Sequence, residues 1–115
     1  MDAVVSVANY INDHYASNIR IDFLAQIACM SQAKLKYMFK GIYRMSIQQY
    51  IVTRRITHAE HLLRDTAFPI SQIAEMVGYK YISSLSDMFK QHTGMAPTEY
   101  REKSGSPSVI APPQA

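Results

Sequence analysis

The chain has a single cysteine, Cys29, so no disulfide can form within it. One lone thiol fits a reducing compartment. No apolar run is long enough to span a membrane, and Met1-Asp2 opens no signal peptide. A soluble, cytoplasmic chain is therefore expected. No nucleophile–base pair, glycine-rich phosphate loop or carboxylate dyad stands out, so neither an enzyme nor a cofactor is expected. At 115 residues, 48% of them hydrophobic, there is enough for one small core or two very small ones sharing a linker.

The most informative absence is acid. No Asp or Glu occurs from Phe23 to Ala59, while that window holds Lys34, Lys36, Lys40, Arg44, Arg54 and Arg55. From Glu60 onward six acids stand against five lysines and arginines. The net charge is only +3. Its confinement to one stretch is the footprint expected for contact with a polyanion rather than for a merely solvated face.

What is present is a repeat. Leu24-Ala25-x-Ile27-Ala28-Cys29-Met30 matches Ile73-Ala74-x-Met76-Val77-Gly78-Tyr79, 49 residues later. Leu35-x-x-Met38-Phe39-Lys40 matches Leu85-x-x-Met88-Phe89-Lys90, 50 residues later, and Met45 and Tyr50 recur as Met95 and Tyr100. Each copy reads as a short helix, a tight turn and a longer helix, the pattern of a helix-turn-helix.

Periodicity supplies the elements. Val4, Ala8, Ile11 and Tyr15 share one face of a helix over 3–16, with Val5 beside them. Asp22 is expected to cap a short helix at 23–29 that turns Leu24, Ile27 and Ala28 inward. Cys29-Met30-Ser31 makes the turn, with Ser31 as the next cap and Cys29 as a small buried residue rather than a redox sensor. Helix 32–43 buries Leu35, Met38, Phe39 and Ile42 and leaves Gln32, Ala33, Lys36, Tyr37 and Lys40 outside. Ser46-Ile47-Gln48-Gln49 has the form of a capping box opening a long helix to about Arg64. That helix carries one apolar row at Ile47, Tyr50 and Ile51 and another at Val52, Ile56, Ala59 and Leu63, suited to packing on two sides. Pro69 forbids its continuation. Ser71 is expected to cap helix 72–77, and Gly78 to make the permissive turn. Helix 82–92 buries Leu85, Met88 and Phe89 and ends at Gly94. Pro97 opens a last helix to Lys103. From Ser104 on, three prolines without periodicity predict a disordered tail.

His58 and His61 lie one turn apart, a spacing that suits a metal, but no third ligand is near in sequence and none is assigned. His14 and His92 read as surface residues.

The segments Leu24-Ala25 through Phe39-Lys40, Arg55-Ile56-x-x-Ala59-x-x-Leu62-Leu63, Ile73-Ala74-x-x-Val77-Gly78-Tyr79 and Phe89-Lys90-x-x-x-Gly94-Met95-x-Pro97-x-x-Tyr100-Arg101 occur in one order. Together they resemble the DNA-binding domain of the AraC/XylS family of bacterial transcription regulators, over roughly residues 3–103. The resemblance implies an all-α fold of seven helices, a homeodomain-like tandem. A first helix-turn-helix subdomain at 1–45 and a second at 66–103 are joined by a linking helix at 46–65, with the tail at 104–115. It implies sequence-specific binding of double-stranded DNA, with the third and sixth helices in successive major grooves. The base-reading positions carried over are Gln32, Ala33, Lys36 and Tyr37, then Ile82, Ser83, Ser86 and Asp87. Ser31, Lys34, Lys40, Arg44, Lys80 and Lys90 are expected at phosphates. RNA polymerase is a further expected partner, and an effector or dimerisation domain is expected outside this chain. The competing reading is a helical module that docks RNA polymerase or another regulator.

Three positions depart from the family pattern. Arg44 stands where glycine is usual, Ala96 where serine is usual before Pro97, and Asp87 where a base is common. A linking helix of about 19 residues spans roughly 28 Å, against about 34 Å between successive major-groove faces. Bending the DNA or loosening one unit would supply the difference. The first unit is expected to dominate affinity, through its six basic residues and the opposing charge of Asp87.

Overall fold

The computed structural model describes residues 3–104. It holds seven helices, α1 (Ala3–His14), α2 (Ile21–Ala28), α3 (Gln32–Tyr43), α4 (Ile47–Asp65), α5 (Ile70–Met76), α6 (Ile82–Thr93) and α7 (Pro97–Lys103), and no strand among the described residues. The expected tail lies outside the described residues from Gly105 on, as does Met1-Asp2. The chain divides into two compact units between Arg54 and Arg55, inside α4.

In the first unit α1 packs on α2 and α3. Val4, Ala8 and Ile11 are buried as the spacing predicts, and Val7 joins them. Tyr15 and Val5 are half-buried. Their core continues through Leu24, Ala25, Ala28, Leu35 and Phe39 to Ile47, Tyr50 and Ile51 at the start of α4. The Phe39 and Tyr50 rings meet edge to face, 5.3 Å apart at 81°, and Tyr43 tilts against both. Such pairs add about 0.5–1.5 kcal/mol beyond the area they bury.

In the second unit α5 packs on α6 and α6 on α7. Ile56, Ala59, Leu63, Ile73, Ala74, Val77, Leu85, Phe89 and Pro97 are buried. Phe89 and Tyr100 repeat the first unit's ring pair at 5.3 Å and 76°. Arg101 closes the C-terminal end of α4: its Nε donates to the Leu63 carbonyl and its Nη2 to that of Thr66, each at 3.2 Å. A guanidinium suits the negative end of a helix, where carbonyls lack partners.

The repeat is carried into backbone hydrogen bonds. Met30 N–H donates to the Ala25 carbonyl and Cys29 N–H to that of Gln26; Tyr79 and Gly78 do the same to Ala74 and Glu75. Arg44 N–H donates to Lys40 and Gly94 N–H to Lys90, both at 2.9 Å. At each of these four helix ends the chain turns left-handed: Cys29 φ 55°, Arg44 φ 62°, Gly78 φ 104°, Gly94 φ 82°.

Several local expectations are corrected. Asp22 does not cap α2. The helix begins one residue earlier, at Ile21, with Arg20 in the capping position, and the Asp22 carboxylate accepts from Arg20 and from the Phe23 N–H instead. That ion pair and its hydrogen bonds hold the carboxyl below its ordinary value. Ser71 does not cap α5 either, because Pro69 occupies that position without a side-chain bond. Cys29 is exposed, since a left-handed residue at a helix end swings out of the packed face. Ile42 is 48% exposed, while its neighbour Tyr43 takes the last turn's place against the core. Met38 and Met88 are only half-buried. Ser46 and Gln49 do form the expected capping box, each side chain accepting from the other's backbone N–H at 2.9 and 3.1 Å.

Candidate nucleic-acid interface

α3 has two unlike faces because its sequence does. Leu35 and Phe39 are fully buried, whereas Gln32, Ala33, Lys36, Tyr37 and Lys40 are exposed, Tyr37 at 81%. Ser31 fixes where the helix begins, its Oγ accepting from the Lys34 N–H at 3.1 Å. Its hydroxyl hydrogen is left for another acceptor. Arg44, in left-handed geometry at the far end, is exposed. The four predicted base-reading residues of this unit thus share the outward surface with Lys34, Lys40 and Arg44.

Among the described residues, Lys34, Lys36, Lys40 and Arg44 make no ion pair. With no acid nearby in sequence, their charge is uncompensated and projects into solvent. The two remaining cations of the stripe also touch aromatic rings. Arg54 donates to the Tyr50 hydroxyl at 3.2 Å and lies over that ring at 5.0 Å. Arg55 belongs to the second unit and lies over the Tyr79 ring at 5.0 Å. Tyr79 is held in place by this contact, and burial pushes its phenol above its ordinary value against the opposing pull of Arg55. Both arginines stabilise tyrosines through cation–π contact. Of the six cations in the acid-free window, four lie on or just past α3, Arg54 is exposed on α4, and Arg55 is half-buried in the second unit.

On α6 the predicted positions fall on the outward side as well. Ser83 and Asp87 are exposed, Ile82 is 46% exposed and Ser86 half-buried. Lys80 and Lys90 are exposed. Asp87 forms no ion pair among the described residues. Sequence reasoning passed over Tyr81, which stands at the capping position of α6 in extended backbone, 62% exposed and without a side-chain cap bond. The 50-residue register could have found it, since it places Tyr81 opposite Ser31.

No group of three His, Cys, Asp or Glu side chains gathers to hold a metal ion among the described residues. His61 instead faces Asp65 at 3.6 Å and Arg64 at 3.0 Å. No described helix is long and apolar enough to cross a membrane.

The geometry is that of two helix-turn-helix units, and comparison with known proteins agrees. A helix-turn-helix domain family matches residues 24–103. The probable transcriptional regulator LumQ of Photobacterium leiognathi is 31% identical over 98 residues, which is 85% of this chain and 40% of that protein. The arabinose operon regulatory protein of Escherichia coli K12 is 34% identical over 99 residues, 85% of this chain and 34% of that one. The chain thus spans well under half of these relatives. The C-terminal domain of AraT, a response regulator from Geobacillus stearothermophilus, superposes with a TM-score of 0.85 at 29% identity, covering 90% of this chain and 86% of that one. The DNA-binding domain of AdpA, solved with a target DNA, shares the fold with a TM-score of 0.86 at 22% identity, covering 91% and 95%. The chain belongs to the helix-turn-helix domain family of the AraC/XylS type.

Proposed function

We propose that this chain binds double-stranded DNA in a sequence-specific manner and serves transcription regulation, α3 and α6 each offering a reading helix to a major groove. The observation that carries the reading is the outward face of α3. It is a well-capped helix anchored by Leu35 and Phe39 that holds Lys34, Lys36, Lys40 and Arg44 uncompensated around Gln32 and Tyr37. A major groove admits such a helix and displays a distinct donor and acceptor pattern for each base pair.

Roles follow from chemistry. The Lys36 ammonium donates to guanine O6 and N7. The Gln32 amide pairs with adenine. Ala33 is small enough to let the helix approach. Tyr37 packs on a thymine methyl or reaches a phosphate. In the second unit Ile82 meets a thymine methyl, Ser83 and Ser86 hydrogen-bond bases or phosphates, and Asp87 accepts from cytosine N4. Ser31, Lys34, Lys40, Arg44, Lys80 and Lys90 hold phosphates and so fix register without reading sequence. Helix-turn-helix subdomains at 1–45 and 66–103 are joined by the linking helix at 46–65. The activity is binding rather than catalysis, carried out in the bacterial cytoplasm. RNA polymerase is a second partner. An effector or dimerisation domain lies outside this chain, in keeping with the share of the regulators' length that it matches.

The test is fluorescence anisotropy against random duplexes of about 25 base pairs at low and physiological salt, because phosphate contacts release counterions and make affinity fall steeply with salt. Binding that weakens steeply with salt is expected. Salt-independent binding, or none even at low salt, would favour the protein-docking module.

A further inference from the structure

The two reading helices begin differently. In the first copy the turn runs Met30-Ser31 into Gln32; in the second it runs Tyr79-Lys80-Tyr81 into Ile82, one residue longer. At the α3 start Ser31 caps the helix and Gln32 follows, both hydrogen-bonding groups. At the α6 start Tyr81 and Ile82 occupy those two places, 62% and 46% exposed, and the cap bond is absent. A capping side chain has been given up, and two large apolar side chains are left in water side by side. Both choices work against stability, the first by losing a partner for an orphan N–H, the second by leaving apolar area unburied.

The rest of the α6 surface limits what these side chains can meet. Ile82, Ser83, Ser86 and Asp87 include no Lys, Arg, Asn or Gln, so the bidentate pairings with guanine and adenine are absent there. The Asp87 carboxylate is exposed and repels phosphate. In a major groove the one apolar feature of a base pair is the C5-methyl of thymine. An apolar pair at the mouth of a groove-entering helix therefore has one matching target.

We propose that Tyr81 and Ile82 together form an apolar reader of thymine C5-methyl groups, so that Tyr81 is a specificity-determining residue of the second unit. The inference rests on α6 entering a major groove, as proposed above. It adds a residue to that surface and commits the second unit to a chemical preference: thymine-bearing steps rather than guanine contacts.

The test uses the whole chain and duplexes selected by it from a random pool. In each half of a selected duplex in turn, every thymine is replaced by deoxyuridine, which removes the methyl and leaves the Watson–Crick face intact. Substitution in the half protected by the second unit weakens wild-type binding roughly fourfold per contacted methyl, as expected for one buried methyl. The double variant Tyr81→Ser with Ile82→Ser binds alike the duplexes with thymine and with deoxyuridine in the second unit's half. Both sites are exposed, and the first of these substitutions supplies the kind of cap that Ser31 provides in the other copy, so the variant should fold; a circular dichroism melt no lower than that of the wild type checks this. Tyr81→Phe keeps the full methyl discrimination. Equal wild-type affinity for both duplexes overturns the proposal. So does discrimination that survives the double variant, or loss of affinity in Tyr81→Phe, which would assign the hydroxyl to a phosphate. Failure to bind any duplex at low salt would instead sink the DNA reading itself, and this inference with it.

Discussion

Cys29 and Gly78 occupy the same place in two copies of one turn, as do Arg44 and Gly94 at the end of the following helix. All four residues are left-handed, yet only the second copy uses the residue that such a backbone favours. For a residue with a Cβ the left-handed region costs about 1–2 kcal/mol. The helix starts show the opposite bias. Ser31 and Ser46 cap α3 and α4, while Tyr81 and Ala96 make no side-chain cap bond at the corresponding starts of α6 and α7. At Ala96 half of the box remains, the backbone N–H donating to Glu99 Oε1 at 3.3 Å. The two copies therefore share a backbone but place strain and capping differently, and their surfaces diverge with them. The first offers four uncompensated cations around polar readers; the second offers an apolar start and an acid. One fold serves two kinds of recognition because helix faces are independent: the buried side fixes the scaffold and leaves the outer side open to change.

The sharpest way to break this contrast is a binding comparison. Lys36→Ala is expected to cost about 1–3 kcal/mol of DNA affinity, the range for one good base contact, whereas Asp87→Ala should cost less, because the cytosine contact it removes is offset by relief of phosphate repulsion. Measured dissociation constants showing the larger loss for Asp87→Ala would reverse the ranking of the two units.

The next contrast is conformational. Nothing lies within 4 Å of a Cβ added at Gly94, so Gly94→Ala meets only backbone strain, at φ +82°. A loss of about 1–2 kcal/mol is expected in urea denaturation. Arg44→Gly should stabilise by up to about 1 kcal/mol, less than the strain relieved because glycine also loosens the unfolded chain. The same variant should bind DNA more weakly and with a shallower salt slope, through loss of a phosphate contact. If Arg44→Gly gained stability and kept its salt slope, Arg44 would be assigned to the turn alone.

Caps give a smaller effect. Ser46→Ala should destabilise by about 1 kcal/mol, and Ala96→Ser should stabilise by a similar or smaller amount by completing the box with Glu99. Thermal melts of the pair, moving in opposite directions, would make the two units alike in this respect.

The smallest effect is pH dependence. Burial first, then the nearby His61, holds the His58 imidazole below its ordinary 6.5. The unfolded chain then takes up the proton more readily than the folded one. Stability should be full above pH 6.5 and decline as pH falls through that value toward the lower folded one. His58→Gln should flatten the melting temperature between pH 7 and pH 5; an unaltered profile would place the titration elsewhere.

Sequence by itself determined the seven helices, the repeat, the burial of Phe39 and Phe89 and the outward placement of the α3 residues. These follow from local rules: apolar spacing sets the buried face, and glycine, proline and serine set the ends. Element ends shifted by one or two residues, as at Asp22 and Ser71, because several nearby groups compete to satisfy the same orphan N–H groups. Tertiary structure alone decided which cations rest on aromatic rings. Arg54 and Arg55 look identical to Lys34 and Lys40 in composition, but two tyrosines lie beneath them. It also decided that Ile42, on an apolar period, is left about half exposed, and that Cys29 faces outward. A residue's face is a property of its own helix. What lies opposite that face is a property of other segments, many residues distant in sequence, and no local pattern encodes it.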